Sequence, residues 1–209
     1  VGSEMCIRDR YSPGLRFEDL TEAGLSNYAI HLREVKYLQN STIIKQIKLL
    51  KWFLRWATVK GYCQTLDYIN FKPKLKTTEK KIVFLDWAEL MTIYNYPFTD
   101  KQKTLERVRD VFCFCCFTSL RYSDVANLKR SDVFDGHISL TTIKTADSIK
   151  IELNKYSRAI LDKYADQQYP GNRALPVISN QKMNDYLKEM GKICGIDQPI
   201  TITYYRGNE

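Results

Sequence analysis

A chain of 209 residues that is 44% apolar and carries a formal net charge of +8 has room for one large hydrophobic core or two small ones. No apolar run reaches the ~20 residues needed to cross a bilayer, and no stretch reads as a secretory leader. The expectation is a cytoplasmic protein with no membrane partner. The six cysteines form no disulfide framework, in keeping with a reducing compartment. Three of them crowd into Val111-Phe-Cys-Phe-Cys-Cys-Phe117, where free cysteine acts as a small buried hydrophobe. Neither histidine (His31, His137) lies at metal-ligand spacing from them, so no metal is expected.

Val1 to Arg10 is unlike the rest of the chain and reads as a non-native leader. From Phe17 to Leu38 apolar residues at three- and four-residue steps (Leu25, Tyr28, Leu32, Val35, Leu38) predict a helical lead-in. A second helix is expected from an N-cap at Ser41 to a stop at Gly61. Its core stripe is Ile43, Ile47, Leu50, Leu54 and Ala57. Lys45, Lys48 and Arg55 lie on another face with Lys51 beside them, so one side can pack while another meets phosphates. Between Ser41 and Lys81 ten basic residues face two acidic ones, a local +8 equal to that of the whole chain. A run of lysines is usually a solvated face, but this concentration favours a polyanionic partner. Residues 72–81 hold Lys72, Lys74, Lys76 and Pro73 without apolar period and read as a basic linker.

Asp86-Trp-Ala-Glu89 has the form of a capping box, and a further helix is expected from about Leu105 to Phe117. It breaks at Thr118-Ser119, where Arg121 appears, with Asp124 three residues on. After this the period becomes alternating: Ile138 and Leu140, then Ile149, Ile151 and Leu153, predict strands, with turns at Asp135-Gly136 and around Ala146-Asp147. Asn154 and Ser179 are candidate N-caps of two more helices, the last ending near Gly195. Ile200 to Tyr205 reads as extended. The fold class is mainly α with a small antiparallel β-hairpin or sheet (α+β).

Taken alone, Arg121 and Asp124 are equally an ordinary ion pair or a guanidinium held at a helix terminus by a carboxylate one turn away. The wider spelling narrows this. Thr118, Ser119, Leu120, Arg121, Ser123, Asp124, Leu128 and Asp132 resemble the arginine box of tyrosine recombinases, the phage-type integrases. Ser119 stands where that family usually has glycine. The box is less like that of type IB topoisomerases, which share the chemistry. The resemblance, closest to integrases of Bacteroides-type mobile elements, runs over about residues 17 to 209.

That resemblance implies a helical core-binding domain (17–71), the basic linker, and part of a catalytic domain (82–209). It implies double-stranded DNA as partner, a homo-oligomer (a tetramer on two DNA sites) for the complete protein, and a bacterial, nucleoid-associated setting. The reaction is strand cleavage and rejoining through a phosphotyrosine, with no metal and no cofactor. Arg121 would neutralise the non-bridging phosphate oxygens, and Asp124 would orient it. Lys144, in Thr-Ile-Lys-Thr at the end of a strand, would protonate the leaving oxygen. Lys150, beyond the turn, competes for that role. The DNA face would hold Lys45, Lys48, Lys51, Arg55, Lys72, Lys74 and Lys76. No His-x-x-Arg box occurs, and Tyr204, Tyr205 and Arg206 read as structural, so the chain is expected to stop inside the catalytic domain and to be inactive alone. A non-catalytic DNA-binding protein that retains the scaffold stays open as the alternative.

Overall fold

The computed structural model describes residues 11–79 and 81–207. The expected leader, Val1 to Arg10, lies outside them. The chain forms two units, Val1–Ile82 with Thr201–Glu209, and Val83–Ile200. It is 51% helical with one three-stranded antiparallel sheet, the mainly-α class expected.

In the first unit, Phe17–Asp19 is a 3-10 turn, and helix α1 (Glu22–Glu34) starts after Thr21, whose hydroxyl accepts the Gly24 amide at 3.2 Å. The predicted lead-in is therefore shorter at both ends: Val35 is exposed, and the backbone turns out of the helix at Tyr37 (φ 51°). Helix α2 (Asn40–Val59) buries the expected stripe against Leu25, Tyr28 and Leu32 of α1. It begins one residue before the predicted cap, after Gln39 rather than at Ser41. Gly61, at φ +78°, follows its end, a conformation glycine adopts without Cβ strain.

Two parts of this unit are held more closely than the sequence suggested. Lys51 is half-buried, and its Nζ donates to the carbonyls of Ile69 (2.9 Å) and Phe71 (3.0 Å), anchoring the segment after α2. Residues 72–78 are no free linker. Phe71 is buried and Pro73 and Leu75 half-buried, while Lys72, Lys74 and Lys76 are exposed. The segment lies on the core with its apolar residues inward, and the Leu75 amide, donating to the Pro73 carbonyl at 2.9 Å, makes a γ-turn at Lys74. Asn40 Nδ2 donates to the Lys76 carbonyl and Thr78 Oγ1 to that of Thr203.

In the second unit, Asp86 and Glu89 exchange both capping bonds (2.8 and 2.9 Å) at the start of α3 (Trp87–Tyr94), as the box predicted. Helix α4 (Lys103–Thr118) is the central element, and Leu105, Val108, Val111, Cys113 and Phe114 are buried along it. Helix α5 (Tyr122–Asn127) leads into β1 (Val133–Phe134), β2 (His137–Thr141) and β3 (Ser148–Glu152). The β2–β3 register pairs Ile138 with Ile151 and Leu140 with Ile149, so the predicted apolar positions share one face. Asn154 caps α6 (Lys155–Lys163) and Ser179 precedes α7 (Asn180–Ile193). Only Cys113 of the cysteine cluster is fully buried. Cys115 is half-buried and Cys116 exposed, which corrects the all-core expectation. Burial above all pushes the Cys115 thiol up to about 12, so it stays protonated and unreactive.

Helices α4 and α6 are locked by a charged cluster that no sequence motif announced. Asp110 is 2% exposed; its carboxylate accepts Arg109 Nε (2.8 Å), Lys163 Nζ (2.7 Å) and the Tyr164 hydroxyl (2.6 Å). Glu106 also faces Lys163. Burial, and then the bond to Asp110, pushes the Tyr164 phenol far up. Removing a buried ionic partner leaves the others uncompensated, at a cost of about 3 to 5 kcal/mol. Asp110→Ala should lie at the lower end, about 3 kcal/mol in urea denaturation, because Lys163 still reaches water.

Candidate functional site

Helix α4 ends by turning left-handed at Ser119 (φ 58°, ψ 16°), which is why a glycine suits this position. Leu120 then enters the core, and Arg121 becomes the N-cap residue of α5 in extended conformation. Arg121 is exposed, and its guanidinium makes no hydrogen bond or ion pair among the described residues. Its carbonyl accepts the amides of Asp124 (2.9 Å) and Val125 (3.1 Å). The neighbouring Tyr122 hydroxyl donates to the Ile178 carbonyl, and burial raises its pKa, so it is held as a protonated donor.

Among the described residues the Asp124 carboxylate makes no bond to the Arg121 guanidinium. Asp124 is 3% exposed, and its Oδ1 accepts the backbone amide of Ile143 at 2.9 Å. A buried carboxylate must be satisfied, and the β2–β3 loop supplies the donor. The bond joins the short helix that begins after Arg121 to the loop that carries Lys144, one residue beyond Ile143.

Lys144 lies within that loop's turn rather than at a strand end, and it is exposed. The loop is closed by Thr142. Its amide donates to the Asp147 carbonyl (2.9 Å), its carbonyl accepts the Ala146 amide (3.0 Å), and its hydroxyl meets Thr145 Oγ1 at 2.8 Å and the Asp147 amide at 3.2 Å. Ala146 is left-handed (φ 56°) to make the return. Lys150 is placed differently, within β3 opposite Ser139. The Asp124 and Thr142 bonds were not read from the sequence. Two threonines and an aspartate flanking Lys144 were the available signal, since such side chains bond nearby backbone in turns.

The basic residues of the first unit divide by environment. Lys45, Lys48 and Arg55 are exposed on α2, and Lys72, Lys74 and Lys76 on the segment after it. Lys76 Nζ lies 5.7 Å from the Tyr205 ring centroid. Helix α2 also bears a second apolar stripe that the sequence reading missed. Leu49, Trp52, Phe53 and Trp56 are 41%, 73%, 46% and 50% exposed; Phe17 stacks on Phe53 and Phe53 on Trp56, and Tyr62 lies tilted against Trp56, at 5.7–6.2 Å between centroids. Among the described residues no group of three or more His, Cys, Asp or Glu could hold a metal, and no helix is long and apolar enough to cross a membrane.

No protein-family model and no curated protein matches the chain. Solved structures do. A lambda integrase (75–356) dimer bound to a COC′ core site aligns with 93% of this chain and 67% of its own, at TM-score 0.65 and 18% identity. A lambda integrase tetramer bound to a Holliday junction aligns with 90% of this chain and 55% of its own, at TM-score 0.66 and 18% identity. The Tn1549 transposon integrase in complex with circular intermediate DNA aligns with 90% and 70%, at TM-score 0.62 and 16% identity. The chain has the fold of these integrases and spans about half to two thirds of their length.

Ser119 has a measurable consequence. A left-handed non-glycine residue costs on the order of 1 kcal/mol. Ser119→Gly should raise unfolding stability by about that amount, seen as a higher urea midpoint at unchanged slope.

Proposed function

We propose that this chain is the DNA-binding and front catalytic part of a site-specific tyrosine recombinase, acting in DNA integration or recombination. The observation that carries the reading is the Asp124–Ile143 bond, which ties the element bearing Arg121 to the loop bearing Lys144. Arg121, exposed and unpaired among the described residues, would hold the scissile phosphate, its planar fork matching two non-bridging oxygens. As a tyrosine hydroxyl attacks phosphorus and the 5′ oxygen leaves, charge builds on those oxygens and a fixed guanidinium stabilises it. Lys144 would give its proton to the departing 5′ oxygen. The Thr142 and Asp124 bonds hold its loop, which favours Lys144 over Lys150.

The first unit supplies the affinity for duplex DNA through Lys45, Lys48 and Arg55 and the row at 72–76. The working assembly is a homo-oligomer, a tetramer on two DNA sites, in the bacterial nucleoid. The exposed stripe of Leu49, Trp52, Phe53 and Trp56 is a surface whose burial by a second copy would stabilise it.

Arg121→Ala, in the protein extended to include the second arginine box and the tyrosine, should abolish cleavage of a nicked suicide substrate while lowering DNA affinity less than about tenfold. Arg121→Lys should also fail, because a point charge cannot replace the fork. Near-normal cleavage by either variant would favour the non-catalytic reading. The 209-residue chain itself should bind a duplex with strong salt dependence. Replacing Lys45, Lys48 and Arg55 by Gln should flatten the log–log salt slope by about 2 to 3 units, at ~0.9 per phosphate contact.

A further inference from the structure

Asn40, the first residue of α2, is 1% exposed, yet its side chain bonds only to backbone that is distant in sequence. Its Nδ2 donates to the carbonyls of Lys76 (2.8 Å) and Gly207, and its Oδ1 accepts the Gly207 amide (2.7 Å). Its own amide donates to the Tyr205 carbonyl at 3.0 Å. Both side-chain donors and the acceptor are thus used, which is the full pairing a buried amide demands. The partners belong to two segments, 72–78 and 201–207, neither of which forms a helix or a strand. Two further contacts join these segments directly: Thr78 Oγ1 to the Thr203 carbonyl (3.2 Å) and Lys76 Nζ over the Tyr205 ring. Gly207 is left-handed (φ +68°), and a Cβ there would come within 3.3 Å of the Arg33 side chain.

We propose that Asn40 is the positioning residue for a phosphate-binding lysine row. By pinning residues 205–207 and 76 to the start of α2, it fixes the alternation that buries Phe71 and half-buries Pro73 and Leu75 and presents Lys72, Lys74 and Lys76 to one DNA backbone. Within the row the Leu75 amide donates to the Pro73 carbonyl at 2.9 Å, a γ-turn that sets the place of Lys74 between its neighbours. A row held in this way meets phosphates without the entropic cost of ordering three flexible side chains on a flexible backbone. The residues near 205, read in the sequence as merely structural, are then part of the binding unit. The inference rests on the duplex-DNA reading and adds the residue that organises one part of the contact.

The test uses the 209-residue chain, a duplex of about 30 base pairs and anisotropy titrations across salt. Lys72, Lys74 and Lys76 replaced together by Gln should reduce the salt slope by about 2 to 3 units. Asn40→Ala, and Asn40→Asp, which keeps the shape but loses both donors, should each reduce it by a similar amount. Added to the triple lysine variant, Asn40→Ala should cause no further loss. Added to Lys45, Lys48 and Arg55 replaced by Gln, it should cause its full loss. Gly207→Val should reproduce Asn40→Ala without touching either the amide or a lysine. Hydrogen exchange, measured without DNA, should show 72–78 and 201–207 losing protection together in Asn40→Ala while α1 and α2 keep theirs. A parental slope in Asn40→Ala, or losses that simply add to those of the lysine row, would overturn the positioning role while leaving the DNA reading standing. If the parent chain itself binds no duplex, it is the DNA reading that falls.

Discussion

One hydrogen bond, from the Ile143 amide to the Asp124 carboxylate, joins two separate pieces of chain, the short helix that opens after Arg121 and the loop that carries Lys144. Without it, α5 and the β2–β3 loop would share only the apolar core beneath them, and an exposed loop tip has many conformations to lose. A carboxylate bonded to a backbone amide in a buried setting is directional and roughly twice as strong as a neutral bond. The bond reaches the residue directly before Lys144, so the lysine inherits the placement of α5. Arg121 inherits it from the other end, as the residue that opens the helix. The two side chains that would meet a phosphate are thereby left exposed while the backbone under them is held.

The same division of labour recurs on a larger scale. Helix α4 carries the left-handed break at Ser119 to a definite place because its middle is tied to α6 through Asp110, Lys163 and Tyr164. A charged cluster in that position stabilises little beyond an apolar replacement of equal volume, but it allows one arrangement of the two helices. In the first unit Lys51 plays a comparable part, committing its ammonium to two carbonyls instead of to a ligand. Charge count alone does not separate such lysines from those that face solvent.

What could be read from the sequence followed the range of the signal. The core stripe of α2, the Asp86–Glu89 box, the Asn154 cap and the β2–β3 apolar pairs are local, with period or spacing of a few residues, and each is found in the structure. The arginine box was legible as a spelling, and its glycine-like position proves to be a left-handed residue. The distant partners of Asp124, Asp110, Lys51 and Asn40 lie 18 to 167 residues away, and nothing in composition or period names them. Lys144 and Ser41 were each displaced slightly, as expected where a boundary depends on bonds made elsewhere. The outer stripe of α2 was different: Leu49, Trp52, Phe53 and Trp56 have plain helical spacing, but a single core face had already accounted for the helix.

Helix α2 therefore has one buried side and one outer side, and on the outer side Lys45 stands in line with Leu49, Trp52 and Trp56, at steps of four, three and four residues along a stiff rod of 20 residues. Anything that settles on the rings meets the lysine ammonium on the same side of the rod, so that apolar area and charge are presented as one surface.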